Sequence, residues 1–323
     1  MTKFKNLVLS GFLILTMGII GVLLSFSGVS AQNAGDLGSE LSGILFSSDR
    51  RGSGRAIFLM DENGKEVQSI TTNAIRGDNM VSLSPNKQRL MFATYRFGGW
   101  KLAQSDADGG NIKRLTTSHG YETSSSFSHN GEMIVYSKID GPGQGYTKLY
   151  LADADGKIIR QLTHPNMHNV KPVFSPDDSK ILFEQYDYKR SGSTSANILE
   201  LNIKSNKLRT LTSNVDDLIF APSYSPDGNY IAYLGVRENK SVFLGMMDAE
   251  GNDHRILTEN IGMYTGGEEQ FFMRTDWNSE GNFVVFSVYD GSDYELYKID
   301  ITNLRLTQLT DNQFDDVQPF WIK

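Results

Sequence analysis

The stretch APSYSPDGNYIAY, residues 221–233, contains the unit from which most of this chain is built. Its Ser-Pro-Asp-Gly segment is typical of a tight turn, because proline fixes φ at the second position and glycine tolerates a positive φ. The run that follows, ending in Ile231-Ala232-Tyr233, has the apolar and aromatic character of a β-strand. The stretch therefore predicts a strand, a turn and a second strand that pairs with the first.

The same unit recurs every 44 to 53 residues along the chain. Each copy contains an apolar-x-aromatic triplet, a second strand that usually ends in an acid or amide, and a closing pair of an aliphatic residue and threonine. The triplets are Ile44-Leu45-Phe46, Leu90-Met91-Phe92, Ile134-Val135-Tyr136, Ile181-Leu182-Phe183, Ile231-Ala232-Tyr233 and Val284-Val285-Phe286. Short strands joined by hairpins at this period predict a four-stranded antiparallel blade. Six copies predict an all-β, six-bladed β-propeller.

The two ends of the chain predict how the ring closes. The N-terminal copy begins at its second strand, whereas Pro319-Phe320-Trp321 repeats the end of a first strand with no blade after it. We therefore expect the C-terminal strand to pair with the N-terminal blade, which removes two exposed sheet edges.

These repeats resemble the TolB-like six-bladed propeller family. The resemblance rests on the Pro-x-aromatic-Ser-Pro-Asp-Gly turn, the triplet, the Asp-ended strand, the Leu-Thr pair and the Ser47-x-x-Arg50-x-Gly52 link. It implies partner binding at one face of the propeller. The periplasmic member after which the family is named carries an α/β domain before its propeller. Here only residues 32–42 precede the first strand, so we expect the resemblance to cover the propeller repeats alone, residues 43–323.

Residues 1–31 have the pattern of a secretory signal peptide. Lys3 and Lys5 precede an apolar run over residues 7–26, and Val29-Ser30-Ala31 supplies small residues before a cleavage point. The alternative is an uncleaved anchor, since about 20 apolar residues can span a bilayer. Either form predicts an exported protein, periplasmic or secreted, with residues 32–42 as a short linker.

Composition excludes several classes of function. The 323-residue chain has no cysteine, which rules out disulfides, thiolate metal sites and a cysteine nucleophile. Its net charge of −7 argues against nucleic acid as a partner, because phosphates require a concentrated basic surface.

In each blade, the position five residues before the last large apolar residue of the first strand is expected at the mouth of the central channel. These positions are candidates for ligand binding. Four of these positions carry side-chain oxygens and belong to consecutive blades, namely Asp78, Glu122, Asn169 and Asp316. Carboxylate and amide oxygens are preferred ligands of Ca²⁺. We therefore predict a ligand site at these four residues, with Asp78, Glu122 and Asp316 as candidate ligands of Ca²⁺.

An alternative metal site involves histidines. His164 and His168 share one predicted loop and His119 lies in the preceding loop. Neutral imidazoles bind transition metals. Solvated loop histidines are the competing interpretation.

Two functions of different class remain open. The first is an exported, non-enzymatic binding or scaffold propeller that presents its channel mouth to a protein, peptide or glycan, with Ca²⁺ as a candidate ion. It is favoured because the chain has neither a Gly-x-Ser-x-Gly elbow nor a His-Glu-x-x-His motif. The second is a metal-dependent polysaccharide lyase or other carbohydrate-active enzyme. A lyase needs cations to hold uronates, and the first-strand segments supply only Arg76, Lys171 and Arg274.

Overall fold

The strands of the repeats form six antiparallel sheets of four strands each. The structure is a computed structural model, and it describes residues 41–52, 54–72, 76–141, 145–164, 166–188, 194–212, 217–266 and 271–323. The predicted leader and residues 32–40 of the predicted linker lie outside these ranges. No helix in the described ranges is long and apolar enough to cross a membrane.

The strand bounds follow the chain in order. The first twelve strands are β1 (Ile44–Ser48), β2 (Ala56–Met60), β3 (Gln68–Ser69), β4 (Asp78–Leu83), β5 (Arg89–Thr94), β6 (Lys101–Asp106), β7 (Lys113–Arg114), β8 (Tyr121–Phe127), β9 (Met133–Ile139), β10 (Lys148–Asp153), β11 (Ile158–Gln161) and β12 (His168–Phe174). The remaining twelve are β13 (Lys180–Tyr188), β14 (Thr194–Asn202), β15 (Leu208–Thr210), β16 (Leu218–Tyr224), β17 (Tyr230–Val236), β18 (Ser241–Asp248), β19 (Arg255–Met263), β20 (Thr275–Trp277), β21 (Phe283–Tyr289), β22 (Tyr294–Asp300), β23 (Arg305–Gln308) and β24 (Asp316–Trp321).

The ring closes as the sequence predicts. The first blade has the order β24-β1-β2-β3, and β24 runs antiparallel to β1 with Ile44 opposite Trp321 and Ser48 opposite Asp316. The other five blades each use four consecutive strands. The all-β, six-bladed propeller and its closure by the C-terminal strand are therefore confirmed.

The turn chemistry of the repeat is satisfied within the turn itself. In the copy at residues 225–228, the Ser225 hydroxyl donates to Asp227 at 2.5 Å and accepts from the Tyr230 N–H at 2.9 Å. The Gly228 N–H closes the turn on the Ser225 carbonyl at 2.9 Å. Because these polar groups pair locally, the turn needs no help from neighbouring blades to form.

The closing aliphatic-threonine pair fastens the third strand of the blade. The Leu309 N–H donates to the Leu296 carbonyl at 2.8 Å, and the Leu296 N–H donates to the Thr310 hydroxyl at 2.9 Å. The same double contact occurs in three further blades, at Ile57 with Ile70 and Thr71, at Leu149 with Leu162 and Thr163, and at Ile198 with Leu211 and Thr212. Threonine is therefore required here as a hydrogen-bond acceptor for a buried N–H, beyond its β-propensity.

Apolar residues are buried between adjacent blades. One cluster joins Phe220 and Leu244 of the fifth blade to Trp277 and Phe286 of the sixth. A second joins Ile44 and Trp321 of the first blade to Val285 and Leu296 of the sixth. The core therefore continues across the point where the two ends of the chain meet.

Candidate functional site

The first strands of the six blades, β4, β8, β12, β16, β20 and β24, contact one another in a closed cycle around the channel. The channel has two mouths. The strand-start mouth is where these strands begin, near Asp78 and Asp316. The turn mouth is where they run into the Ser-Pro turns, near Ser84 and Ser225.

Two of the four predicted ligand residues are paired with arginines. Asp78 and Asp316 are fully buried. The Arg96 guanidinium donates to Asp78 Oδ2 at 2.6 Å, and Oδ1 of Asp78 has no hydrogen-bond partner among the described residues. Arg50 donates to both oxygens of Asp316, at 2.7 and 2.6 Å, and the Asn312 amide adds a third bond. Both carboxylates are therefore neutralised by neighbouring loops.

The other two predicted residues are held by hydrogen bonds, Glu122 to the preceding blade and Asn169 within its own blade. Glu122 is fully buried and accepts hydrogen bonds from the hydroxyls of Thr116 and Ser118 and from the Leu102 N–H. Asn169 is also buried, and its Oδ1 accepts from the Gln185 amide at 2.9 Å. The described residues contain no group of three or more His, Asp or Glu placed to hold a metal. A binding role for these four side chains stays a prediction. Among the described residues, the structure supplies no set of ligands for Ca²⁺.

The three histidines have separate surroundings. His119 is exposed, and the exposed His164 contacts the Gln161 amide through Nδ1 at 2.9 Å. The His168 ring stacks on Tyr186 with centroids 5.0 Å apart, and its Nδ1 accepts from the Thr147 N–H at 3.3 Å. Within the described residues, the three histidines do not form part of a group that could hold a metal ion.

The waist of the channel is formed by bulged backbone and polar side chains. Four first strands carry a bulge residue with positive φ, namely Met80, Lys171, Ala221 and Gln318. Lys171 is buried, and its ammonium donates to Glu184 and to the Met273 carbonyl, both at 2.9 Å. Burial lowers the pKa of Lys171, and the nearby Glu184 carboxylate opposes that shift. Because Met273 belongs to the segment before β20, Lys171 ties two blades together across the channel.

The turn mouth opens into a cavity of about 280 Å³. Residues in or next to all six first strands line it, including the aromatic side chains Phe127, Phe174, Tyr224 and Phe320. Among the polar lining groups are Ser82, Ser126, Ser223 and Arg274. The sequence predicts a site at the opposite, strand-start mouth and gives no signal for this cavity beyond Arg274, one of three cations on the first-strand segments.

Comparisons with known proteins find similarity in fold alone. No family model and no curated protein matches the chain. Among solved structures, TolB from Acinetobacter baumannii is 15% identical with a TM-score of 0.72, over 87% of this chain and 66% of that one. This chain therefore spans just under two thirds of that protein.

Two other similar structures come from different kinds of protein. An oligogalacturonate lyase in complex with manganese is 16% identical with a TM-score of 0.56, over 82% of this chain and 72% of that one. A chain of a nidogen–laminin complex is 11% identical with a TM-score of 0.63, over 86% of this chain and 97% of that one. At such identities a shared fold does not carry a shared activity. The resemblance to TolB-like proteins is thus confirmed for the six-bladed propeller fold.

Proposed function

We propose that this chain is an exported, non-enzymatic binding propeller that presents the turn mouth of its channel to a protein partner. The observation that supports it is the cavity at that mouth, which is open to solvent and walled by aromatic side chains from four blades. Concave sites with apolar walls and a few polar groups are typical of recognition sites. The nidogen–laminin complex provides an example of a similar propeller fold in a protein assembly.

Site-specific crosslinking tests this proposal. A photo-crosslinking residue replaces Ser126 at the turn mouth, and a matched control replaces Leu208, an exposed residue on the outer strand β15. We expect one crosslinked protein from the cell envelope with the Ser126 variant and none with the Leu208 variant. Equal labelling at both positions, or none at either, would contradict partner binding at this mouth.

Export is proposed on the sequence of residues 1–31 and is tested independently. Mass spectrometry of the protein from cell fractions should find it outside the cytoplasm, with a mature N-terminus at Gln32 if the leader is cleaved. A cytoplasmic protein that retains Met1 would contradict export.

The alternative is a metal-dependent polysaccharide lyase, which the likeness to the manganese-bound oligogalacturonate lyase keeps open. Cleavage of polygalacturonate by elimination would produce an unsaturated product that absorbs in the ultraviolet. Absorbance that appears with Mn²⁺, is lost on chelation, and falls in a His168→Ala variant would favour the lyase. A flat trace favours the binding propeller.

Calcium at the strand-start mouth remains a separate proposal. To bind it, Asp78 and Asp316 would have to release Arg96 and Arg50. Calorimetric titration with Ca²⁺ tests this in the unmodified protein and in its Asp78→Asn variant. A heat of binding that is present in the unmodified protein and absent in the variant would support the site.

A further inference from the structure

The turn-mouth cavity contains a guanidinium without a carboxylate partner. Within the described residues, the Arg274 side chain donates one hydrogen bond, from Nη1 to the Val81 carbonyl at 2.7 Å, and no carboxylate lies within salt-bridge distance of it. Its guanidinium lies 5.2 Å from the centroid of the Phe320 ring. Arginine has five N–H donors, so most of the donors of Arg274 have no partner among the described residues.

The nearest acid is already engaged. Asp276 lies in β20, two residues after Arg274, and its Oδ1 forms a salt bridge with Lys323 at 3.1 Å and accepts from the Trp277 N–H. Its Oδ2 accepts from the Trp321 N–H at 2.9 Å. Lys87 also lines the cavity, so its charged side chains are Arg274, Lys323 and Lys87 against the one side-chain carboxylate of Asp276. The cavity therefore has an excess of positive charge.

Other groups of the cavity suit an anion with an apolar body. The hydroxyl of Ser82 is buried and has no hydrogen-bond partner among the described residues. Phe127, Tyr224 and Phe320 form apolar walls around the same space. An unpaired buried hydroxyl is unfavourable, so a ligand that satisfies it gains affinity.

We propose that the turn-mouth cavity binds a small organic carboxylate, whose oxygens pair with Arg274 and whose apolar body lies between Phe127, Tyr224 and Phe320. The planar guanidinium and a carboxylate match in shape and form two parallel hydrogen bonds. A cavity of about 280 Å³ lies near the lower end of the range for small-molecule sites, about 300–1,000 Å³, so it suits a ligand as small as an arylacetic acid. This inference shares only the turn mouth with the proposed function and does not require a protein partner.

Binding of three matched probes tests the charge that the cavity selects. The probes are 4-fluorophenylacetate, its neutral amide, and 4-fluorobenzylamine, measured by ¹⁹F NMR with the full chain. We expect the carboxylate to bind at least tenfold more tightly than the amide, the amine not to bind, and the preference to weaken as salt screens the charge. Equal affinity for acid and amide, or no binding of the acid, would overturn the proposal.

Two variants locate the site. Arg274→Gln is expected to reduce the tenfold preference for the acid to none, while the control Lys204→Gln, at an exposed position outside the cavity lining, changes acid affinity by less than threefold. Because Arg274 also contacts the Val81 carbonyl, a second variant that leaves this residue intact is needed. Ser126→Leu places a larger side chain in the cavity and should abolish acid binding. A tenfold preference that persists in Arg274→Gln or in Ser126→Leu would contradict the site.

The outcomes also separate this inference from the proposed partner. Acid binding that depends on Arg274, without a crosslinked protein, would support the carboxylate site and count against the protein partner. A crosslinked partner together with equal affinity for acid and amide would do the reverse.

Discussion

Arg50 donates from Nη2 to both carboxylate oxygens of Asp316, a residue 266 positions away in the chain. Arg50 follows β1 and Asp316 begins β24, so this ion pair joins the two ends of the chain at the ring closure. The Arg50 guanidinium also lies over the rings of Phe46 and Phe58, at 5.3 and 5.2 Å from their centroids. Asp316, predicted as a ligand residue, thus has a structural partner.

Replacing Asp316 by asparagine should destabilise the fold. The amide keeps the shape but removes the charge that balances Arg50, and charge-assisted hydrogen bonds contribute about 1.5–3 kcal/mol each. We expect a loss of about 2 kcal/mol in the free energy of unfolding, measured by urea denaturation. The control is Asp155→Asn, because the Asp155 side chain is 91% exposed. An Asp316→Asn protein as stable as the control would show that the ion pair contributes little to closure.

Deleting residues 319–323 should open the ring. The deletion removes the pairing of Phe320 and Trp321 with Leu45 and Ile44, and Trp321 is only 1% exposed. Loss of a buried tryptophan alone costs about 3–5 kcal/mol, and the Ile44–Leu45 part of β1 then becomes an exposed edge. We expect a large fall in melting temperature and aggregation, observed by calorimetry and light scattering. A truncated chain that stays monomeric and equally heat-resistant would contradict closure through β24.

The blades could be predicted from sequence because their determinants are local. A Ser-Pro-Asp-Gly turn completes its own hydrogen bonds, as at Ser225, and the Leu-Thr pair acts on a strand of the same blade. Six copies of such a pattern determine the number of blades. The unpaired first strand at Pro319-Phe320-Trp321 then determines how the ring closes.

The candidate site could not be predicted in the same way, because its chemistry depends on contacts between distant residues. The partners of Asp78 and Asp316 are arginines that follow β5 and β1, and repeat spacing alone does not show that they turn back onto these acids. Arg274 was noted from sequence, but its freedom from a carboxylate partner depends on Asp276 turning toward Lys323 and Trp321.

Gly64 should not tolerate a side chain, for a reason distinct from its backbone angle. It has φ of +78°, and a Cβ there would overlap the carbonyl oxygen of Leu309 in the adjacent sixth blade. Gly98 has a similar φ of +75° but faces open space. Gly98→Ala should therefore report the cost of positive φ alone, about 1–2 kcal/mol. We expect Gly64→Ala to cost at least about 2 kcal/mol more, because the two blades must separate.

Urea denaturation of both variants checks this difference. Equal losses for Gly64→Ala and Gly98→Ala would mean that the contact between the blades relaxes without cost, and backbone angle alone would then explain the glycine.

Glu295 should make the stability of the protein depend on pH. Burial raises the pKa of its carboxyl from 4.5 to about 7, against hydrogen bonds from Thr310 and the Asn312 N–H that lower it. Between these values the folded state keeps the proton and the unfolded state releases it, so stability falls as pH rises. Below pH 4.5 the carboxyl is protonated in both states, and above pH 7 the folded state bears the whole penalty. A shift of this size corresponds to about 3 kcal/mol.

Glu295→Gln isolates this contribution. The amide does not titrate, and its oxygen can still accept from the Asn312 N–H. We therefore expect the wild type to lose about 3 kcal/mol of stability relative to this variant between pH 4.5 and pH 8, measured by urea denaturation across that range. Glu238→Gln, at an exposed position, should show no comparable change. If the stabilities of the wild type and Glu295→Gln stay parallel across the range, the carboxyl is not desolvated as the fold implies, and water must reach it from the strand-start mouth.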